Sequence, residues 1–482
     1  MSQISERISD LSPEQLELLR KRLEKSVAPN FPPQVIPRRK IRSPRAPLAY
    51  AQERIWRLYK LEPSSSAFNI SIALQLEGEL DITALKRALG ALVRRQEVLR
   101  TTFDVTADGG QPFQAVHPPP SYWPLPLTDL GHLPPSARND EMRRLIAVEA
   151  ERPFNLEAGP TFRTVLLRLG ADEHLLLLSL HQIVADCWSV GILLREFVAL
   201  YETNGASLSL PPLPIQYADF AVWQRQWLQG EVLKKQLDYW RRQFDELPPA
   251  VERPADFPRR AMQSFRRESI SLDEKLSREL KELGQREGAT LFMTLLAALQ
   301  LLLHQDTGQD DIVVGSNIAN RNRSAVENLI GYFVNTIVLR TSLGGNPTFR
   351  ELIARARDVT LGAYARQDVP FEMLLESIRQ QRQEQIVPPF QMMFVLQNAP
   401  FPAVEVNGLK FSVLESSSET SNFDLVLYLN ETGRRLQLHY NTNLFADPTI
   451  SRMLERFQNL LQAIAKDPDA KIASLLCDPC VA

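Results

Sequence analysis

The stretch His181-Gln182-Ile183-Val184-Ala185-Asp186-Cys187-Trp188-Ser189 stands where an apolar run, 175–180, gives way to an amphipathic stretch, 190–201. An apolar run of that length, broken only by Ser179, reads as a buried strand, and apolar residues returning every three or four positions read as a helix. The nine residues are therefore a strand-to-helix turn, a place where α/β folds present reactive side chains. They bring together an imidazole, a carboxamide, a carboxylate, a thiol and a hydroxyl. Asp186 and Ser189 are also suited to capping the helix that follows.

Outward from this turn, strands and helices alternate. In the first half 80–93 reads as a helix begun after Asp81, and 165–169 and 175–184 read as strands. Residues 208–214 are proline-rich, 223–244 reads as one long helix, and 248–258 is a second loop. In the second half 276–286, 291–304, 352–365 and 450–464 read as helices, and 311–316, 334–341 and 390–396 as strands. Such mixing indicates α/β layers. The expected organisation is a leading helix and Pro-rich linker over 1–47, an N-terminal lobe over 48–215, a bridging segment over 216–260 and a C-terminal lobe over 261–482. Ser12, Pro13 and Gln15 form the start signal of the leading helix, and six prolines between 28 and 47 mark the linker.

Bulk properties exclude several function classes. The chain has 482 residues, 44% hydrophobic and 23% charged, enough for two ordinary domains with buried cores. A net charge of −2 gives no electrostatic reason to bind nucleic acid. Apolar runs such as 295–303 are too short and mixed to span a bilayer, and residues 1–10 lack a secretory leader pattern. Three cysteines make no disulfide framework, and Cys477-Asp478-Pro479-Cys480 has no further ligands nearby for a metal. A cytoplasmic protein without a metal or cofactor of its own is expected.

Six motifs follow one another along the chain. They are Ala49-Tyr50-Ala51-Gln52-Glu53-Arg54-Ile55-Trp56; Arg95-Gln96-Glu97-Val98-Leu99-Arg100-Thr101-Thr102-Phe103; the turn at 181–189; Tyr217-Ala218-Asp219-Phe220-Ala221-Val222-Trp223; Ile330-Gly331-Tyr332-Phe333-Val334-Asn335-Thr336; and Gln367-Asp368-Val369-Pro370-Phe371-Glu372. In this order they resemble the condensation domains of nonribosomal peptide synthetases, over about residues 45–465. Four positions depart from the family pattern: Ala49 replaces Ser, Gln96 replaces His, Gln182 replaces the second His of the His-His-x-x-x-Asp-Gly core, and Cys187 replaces its Gly.

The resemblance implies two chloramphenicol-acetyltransferase-like lobes in a V-shaped pseudo-dimer with a tunnel between them. It implies upstream and downstream peptidyl carrier proteins, whose phosphopantetheine arms deliver thioesters from opposite faces, with substrate activation by an adenylation domain elsewhere. The acceptor amine would attack the donor thioester to form an amide. An imidazole can take the amine's proton near neutral pH; Gln182 can hydrogen-bond but has no titratable site there. None of His117, His132, His174, His304 and His439 replaces it by sequence logic. The candidate catalytic residues are Gln182, Asp186 and Asn335. Asn335 would polarise a substrate carbonyl or bond the backbone. Supporting roles fall to His181, expected to pack inward, to Arg95 or Arg100 as the partner of Asp186, to Cys187, and to Trp188 and Trp223. Cys187, at a helix N-terminus, is expected either to fill space or to have a lowered thiol pKa. Three readings stay open: amide formation with a modified site, a non-catalytic platform that docks carrier proteins or recruits a tailoring enzyme, and altered chemistry such as dehydration or ester formation.

Overall fold

The computed structural model describes residues 35–39, 43–106, 110–206, 210–244, 255–257, 264–382, 390–397, 403–414, 423–430 and 433–476. The helix-start signal at 12–15 and the cysteine pair Cys477 and Cys480 lie outside them. The first half runs β1 (Arg45–Pro47), α1 (Tyr50–Leu61), β2 (Asn69–Glu77), α2 (Ile82–Arg95), β3 (Thr101–Val105), β4 (Pro112–Val116), β5 (Leu127–Asp129), α3 (Pro135–Glu151), β6 (Phe162–Arg168), β7 (Glu173–His181), α4 (Cys187–Glu202), α5 (Tyr217–Trp227) and α6 (Gly230–Phe244). The second half runs β8 (Phe265–Ser271), α7 (Glu274–Arg286), α8 (Leu291–Thr307), β9 (Asp311–Ile318), α9 (Ser324–Glu327), β10 (Asn335–Ser342), α10 (Phe349–Tyr364), α11 (Phe371–Arg382), β11 (Met392–Gln397), β12 (Val404–Val406), β13 (Leu409–Leu414), β14 (Leu425–Asn430), β15 (Arg435–Asn441), α12 (Asp447–Lys466) and α13 (Ile472–Leu476).

Two six-stranded sheets organise these elements, in the orders β12-β13-β2-β7-β6-β5 and β10-β9-β11-β14-β15-β8, with a small β1-β4-β3 sheet beside the first. Each large sheet has its own apolar core. In the first lobe α2 starts where Asp81 accepts from the amides of Thr83 and Ala84, and it buries Leu85, Ala88, Leu89 and Leu92 at helical spacing. In the second lobe α8 is apolar all round and buried from Phe292 to Leu303, as a helix wrapped by sheet and helices must be.

Residues 223–244 form two helices rather than one. Trp227 ends α5, and Gly230, at φ 57, begins α6. Only glycine takes that left-handed conformation without a Cβ penalty. The break is where the chain changes lobe: Tyr217 and Phe220 of α5 belong to the first core, and Trp240 and Phe244 of α6 to the second.

The sequence boundary between lobes is crossed twice. Tyr332 and Phe333 pack in the first core, not the second. β13 pairs antiparallel with β2, from Lys410↔Glu77 to Leu414↔Ala73. It covers an edge that would otherwise expose unpaired backbone groups, and its Phe411 is fully buried edge-on against Phe197 and Tyr201. The 1–47 segment is not linker throughout either. Residues 45–47 are strand β1 on β4, and Arg38 and Arg39 tie 35–39 to the Leu213 and Pro214 carbonyls and to Asp219. No single helix among the described residues is long and apolar enough to cross a membrane.

Candidate active site

β7 ends at His181, and the chain turns through a single 3-10 turn, Gln182–Val184, before α4 begins. The strand expected over 175–184 thus begins two residues earlier and ends three residues earlier. The turn is held from three sides. The Gln182 amide donates to Phe68 O at 2.8 Å and the His181 amide to Thr161 O at 3.1 Å. The Gln52 carboxamide donates to Ile183 O at 3.0 Å. His181 points inward, 2% exposed, among the rings of Tyr59, Phe68 and Phe154. Its Nδ1 accepts from the Ile183 amide at 3.1 Å, which places the proton on Nε2. Burial pushes its pKa down to about 3, so the ring is neutral at physiological pH.

Asp186 is N-cap of α4 and the centre of a buried network. Its Oδ1 accepts from the Ser189 amide (2.7 Å), the Ser189 hydroxyl (2.7 Å) and Arg321 (3.1 Å); its Oδ2 accepts from the Phe333 amide at 3.0 Å. Arg321 also donates to the Val326 and Leu329 carbonyls, both at 2.7 Å, and lies over the Phe333 ring. The expected partners Arg95 and Arg100 are engaged elsewhere. Arg95 pairs with the buried Glu196 at 2.8 Å. Arg100 donates to the Val93 and His117 carbonyls and pairs with Glu97. The partner of Asp186 is instead Arg321, from the loop after β9. Both oxygens of Asp186 are thus engaged by protein donors that hold the turn.

Between the lobes lies a cavity of about 80 Å³, partly open to solvent. Gln182 is on its wall, as are Ala49 and Arg54 of the first lobe and Asn335, Asp368 and Glu372 of the second-half segments. No histidine lines it among the described residues. His439, pushed down to about 4 by burial, instead meets Tyr428 edge-on in the second sheet. Tyr332 also lines the cavity, its phenol pushed up to about 12 by burial. Among the described residues Gln182's carboxamide has no hydrogen-bond partner, and no group of residues is arranged to hold a metal.

Of the two roles open to Asn335, the structure shows the bond to the backbone. Its amide donates to the Gln367 (2.8 Å) and Val369 (2.6 Å) carbonyls, and its Oδ1 accepts from the Phe371 amide (3.1 Å). Fully used in shaping the 367–371 loop, it has little left for a substrate carbonyl. Cys187 is exposed, near enough to Tyr332 and Tyr428 to affect their titration. The surrounding protein and the Asp186 carboxylate push its thiol up, so its helix N-terminus does not make it a thiolate. Trp188 donates to Glu327 O at 3.1 Å. Trp223 stacks on Trp227 at 5.0 Å beneath Arg323, which also pairs with Asp368 at 2.9 Å.

All six motifs interlock around this cavity. Gln52 of the first holds the turn. Gln96 of the second accepts from the Ile330 amide of the fifth at 3.1 Å. Ser189 accepts from the Gly331 amide at 3.0 Å, and Tyr217 of the fourth donates to Tyr332 O at 2.6 Å. Arg54 reaches Glu372 of the sixth at 3.1 Å. Neither Arg321 nor Arg323 falls in any motif; a cluster of arginines in the loop after a strand was the only sequence signal for them.

A family model described as "Condensation domain" matches residues 43–478. The chain belongs to the condensation-domain family. It is 44% identical over 437 residues to one of the linear gramicidin synthase proteins of Brevibacillus parabrevis, covering 89% of this chain and 8% of that protein. It is 40% identical over 486 residues to the phosphinothricin tripeptide synthetase PhsC of Streptomyces viridochromogenes, covering 98% of this chain and 44% of that protein. This condensation domain therefore spans less than half the length of either synthetase. Among solved structures it matches the X-domain of teicoplanin biosynthesis, solved in complex with OxyB, with a TM-score of 0.79 and 26% identity over 92% of this chain and 98% of that one. The first condensation domain of the calcium-dependent antibiotic synthetase, solved with a substrate analogue, matches with a TM-score of 0.72 at 22% identity, over 89% of this chain and 98% of that one. The two lobes thus have the chloramphenicol-acetyltransferase-like fold of these domains.

Proposed function

We propose that this condensation domain forms an amide between two carrier-bound thioesters, using a site that orients the reactants without an imidazole. The supporting observation is the cavity between the lobes with the unpartnered carboxamide of Gln182 on its wall. The acceptor amine attacks the donor carbonyl, a C–N bond forms, the C–S bond breaks, and the amine's proton leaves with the pantetheine thiol. A positioned base is worth about 10²–10⁴ in rate, or about 2.7–5.5 kcal/mol, whereas fixing two reactants in place is worth about 7–11 kcal/mol. The larger contribution survives the loss of the histidine. Gln182 orients the amine through its carbonyl or offers its NH₂ to the oxyanion. Upstream and downstream peptidyl carrier proteins supply both arms, and an adenylation domain activates the substrates.

A second reading has support of its own. The likeness to a teicoplanin X-domain solved with OxyB favours a platform that recruits a tailoring enzyme. Intact-mass analysis of donor- and acceptor-loaded carrier proteins incubated with the protein separates the two. Condensed product that falls in Gln182→Ala supports catalysis. No product from the parent, but product from Gln182→His, supports the platform. An acceptor arm with a mass 18 Da below its starting value instead marks dehydration.

A further inference from the structure

A second cavity, of about 350 Å³ and open to solvent, shares no lining residue with the interlobe cavity. That volume is at the lower end of the range for small-molecule sites. Three pieces of the first half of the chain wall it: the last turn of α2, with Arg94 and Arg95; the anchored segment 35–39, with Arg38; and the stretch between α4 and α5, with Pro212 and Gln216. Three guanidiniums and no carboxylate therefore line it among the described residues. Like charges gathered on one wall repel one another, and a bound anion removes that cost.

The neighbouring carboxylates are already matched. Glu196 pairs with Arg95, Asp219 with Arg39, and Glu97 with Arg39 and Arg100. Arg38 and Arg94 have no carboxylate partner among the described residues. Arg38 is held in place by carbonyls alone, its Nε on Pro214 O and its Nη2 on Leu213 O, both at 2.8 Å. Two of its five N–H groups are used, and those of Arg94 are free. Both residues are exposed, so an incoming anion reaches them without any opening of the fold. The end of α2 does not oppose it. Two of the last carbonyls of that helix, which would repel an anion, are covered: Val93 O accepts from Arg100 and Arg95 O from Gln216.

We propose that this cavity binds a small phosphate monoester, with its phosphate held between Arg38 and Arg94. Charge and shape select that class. Two guanidiniums without partners call for two negative charges. A monoester carries about −1.5 to −2 at pH 7 and offers three acceptor oxygens, whereas a carboxylate or a phosphodiester brings a single charge. Arginine's planar fork suits such oxyanions, which it grips through paired N–H groups. Beside the arginines the wall is apolar, formed by Ala91, Pro212 and Leu213, and takes the carbon skeleton of the ester. The bound ligand would tie the 35–39 segment to α2 and to the approach to α5. Nothing in it depends on the amide-forming reading.

The test is titration calorimetry of the whole chain at low salt and about pH 7.5, above the second phosphate pKa of about 6. The probes are glycerol 3-phosphate, inorganic phosphate, dimethyl phosphate and succinate. The parent should bind one glycerol 3-phosphate, and dimethyl phosphate about 10-fold more weakly or less. Arg94→Gln should weaken the ester about 10-fold, and Arg94→Glu should abolish binding. Arg94 is exposed at the end of a helix, so neither change should move the denaturation midpoint. Arg143→Gln, at an exposed arginine of α3, should bind as the parent does. No saturable binding by the parent, or equal affinity in Arg94→Gln, overturns the site. Equal affinity for dimethyl phosphate or succinate, or binding of inorganic phosphate without the ester, overturns the assignment to a phosphate monoester.

Discussion

The Asp186–Arg321 pair lends itself to a double-mutant cycle. The two side chains are 1% and 3% exposed and 3.1 Å apart. Arg321→Met removes the guanidinium on Asp186 and leaves the Val326 and Leu329 carbonyls without their donor. Breaking one side of a buried pair costs about 3–5 kcal/mol, because the remaining charge stays buried. Asp186→Asn should cost somewhat less than the upper end of that range, since one oxygen is still available to the Ser189 or Phe333 amide. If the two groups stabilise each other, the double variant loses less than the sum, with a coupling of about 2–3 kcal/mol, the upper end for residues in contact. The same cycle between Asp186 and Arg100 should couple by no more than about 0.5 kcal/mol. The assay is urea unfolding at 25 °C followed by tryptophan fluorescence, to which Trp188 contributes from the joint where it is bonded to Glu327. Coupling below about 0.5 kcal/mol for Arg321, or as large for Arg100, would refute the network.

Other outcomes follow from the same geometry. His181, neutral and buried with a pKa of about 3, binds no proton in the folded state where the unfolded chain does, so stability should fall as pH drops from about 6.5 towards 3. At pH 4.5 the loss is about 2–3 kcal/mol, and His181→Asn should flatten the slope between about pH 6.5 and 4.5; an equal slope in the variant argues against it. Gly331→Ala would put a Cβ 2.0 Å from the Tyr217 ring, in the buried core. Overpacking should cost about 1–3 kcal/mol or more; unchanged denaturation midpoints would mean the ring moves freely. Cys187, exposed but pushed up by its surroundings, should react with a maleimide more slowly at pH 7 than an ordinary exposed cysteine. With Cys477 and Cys480 replaced by serine, a rate that is already maximal at pH 7 would contradict that environment.

Local signals were legible in the sequence where local physics decides. Asp81 and Asp186 begin helices because a carboxylate two or three residues ahead of free amides satisfies them. The apolar run at 175–180 is a central strand because it is buried on both faces. Gly230 was the one local sign that 223–244 would break. The α3 helix gave a weak signal, since its apolar stripe is only Met142, Leu145 and Ile146, half-buried against the first sheet. What was illegible is tertiary. Asp186 must have a cation, but its cation is 135 residues away in sequence, and nothing local favours Arg321 over Arg95 or Arg100. Asn335 has the right type for a substrate contact; only its fold neighbours show its amide already used. The short apolar alternation of β13 fits either sheet, and only packing against Phe197 and Tyr201 assigns it to the first.

The pairing of β13 with β2 sets an order of events in synthesis. β2 is complete at residue 77, but its partner is complete only at residue 414. At about 5–20 residues per second, roughly 17–70 s of translation separate the two. Through that interval the first lobe emerges with a nine-residue strand edge, β2, bare, the kind of edge that recruits other chains. A fragment ending near residue 260 would keep that edge permanently and should aggregate. The unit that folds is therefore not a lobe but the pair, and domain exchange between synthetases should cut outside both lobes rather than between them.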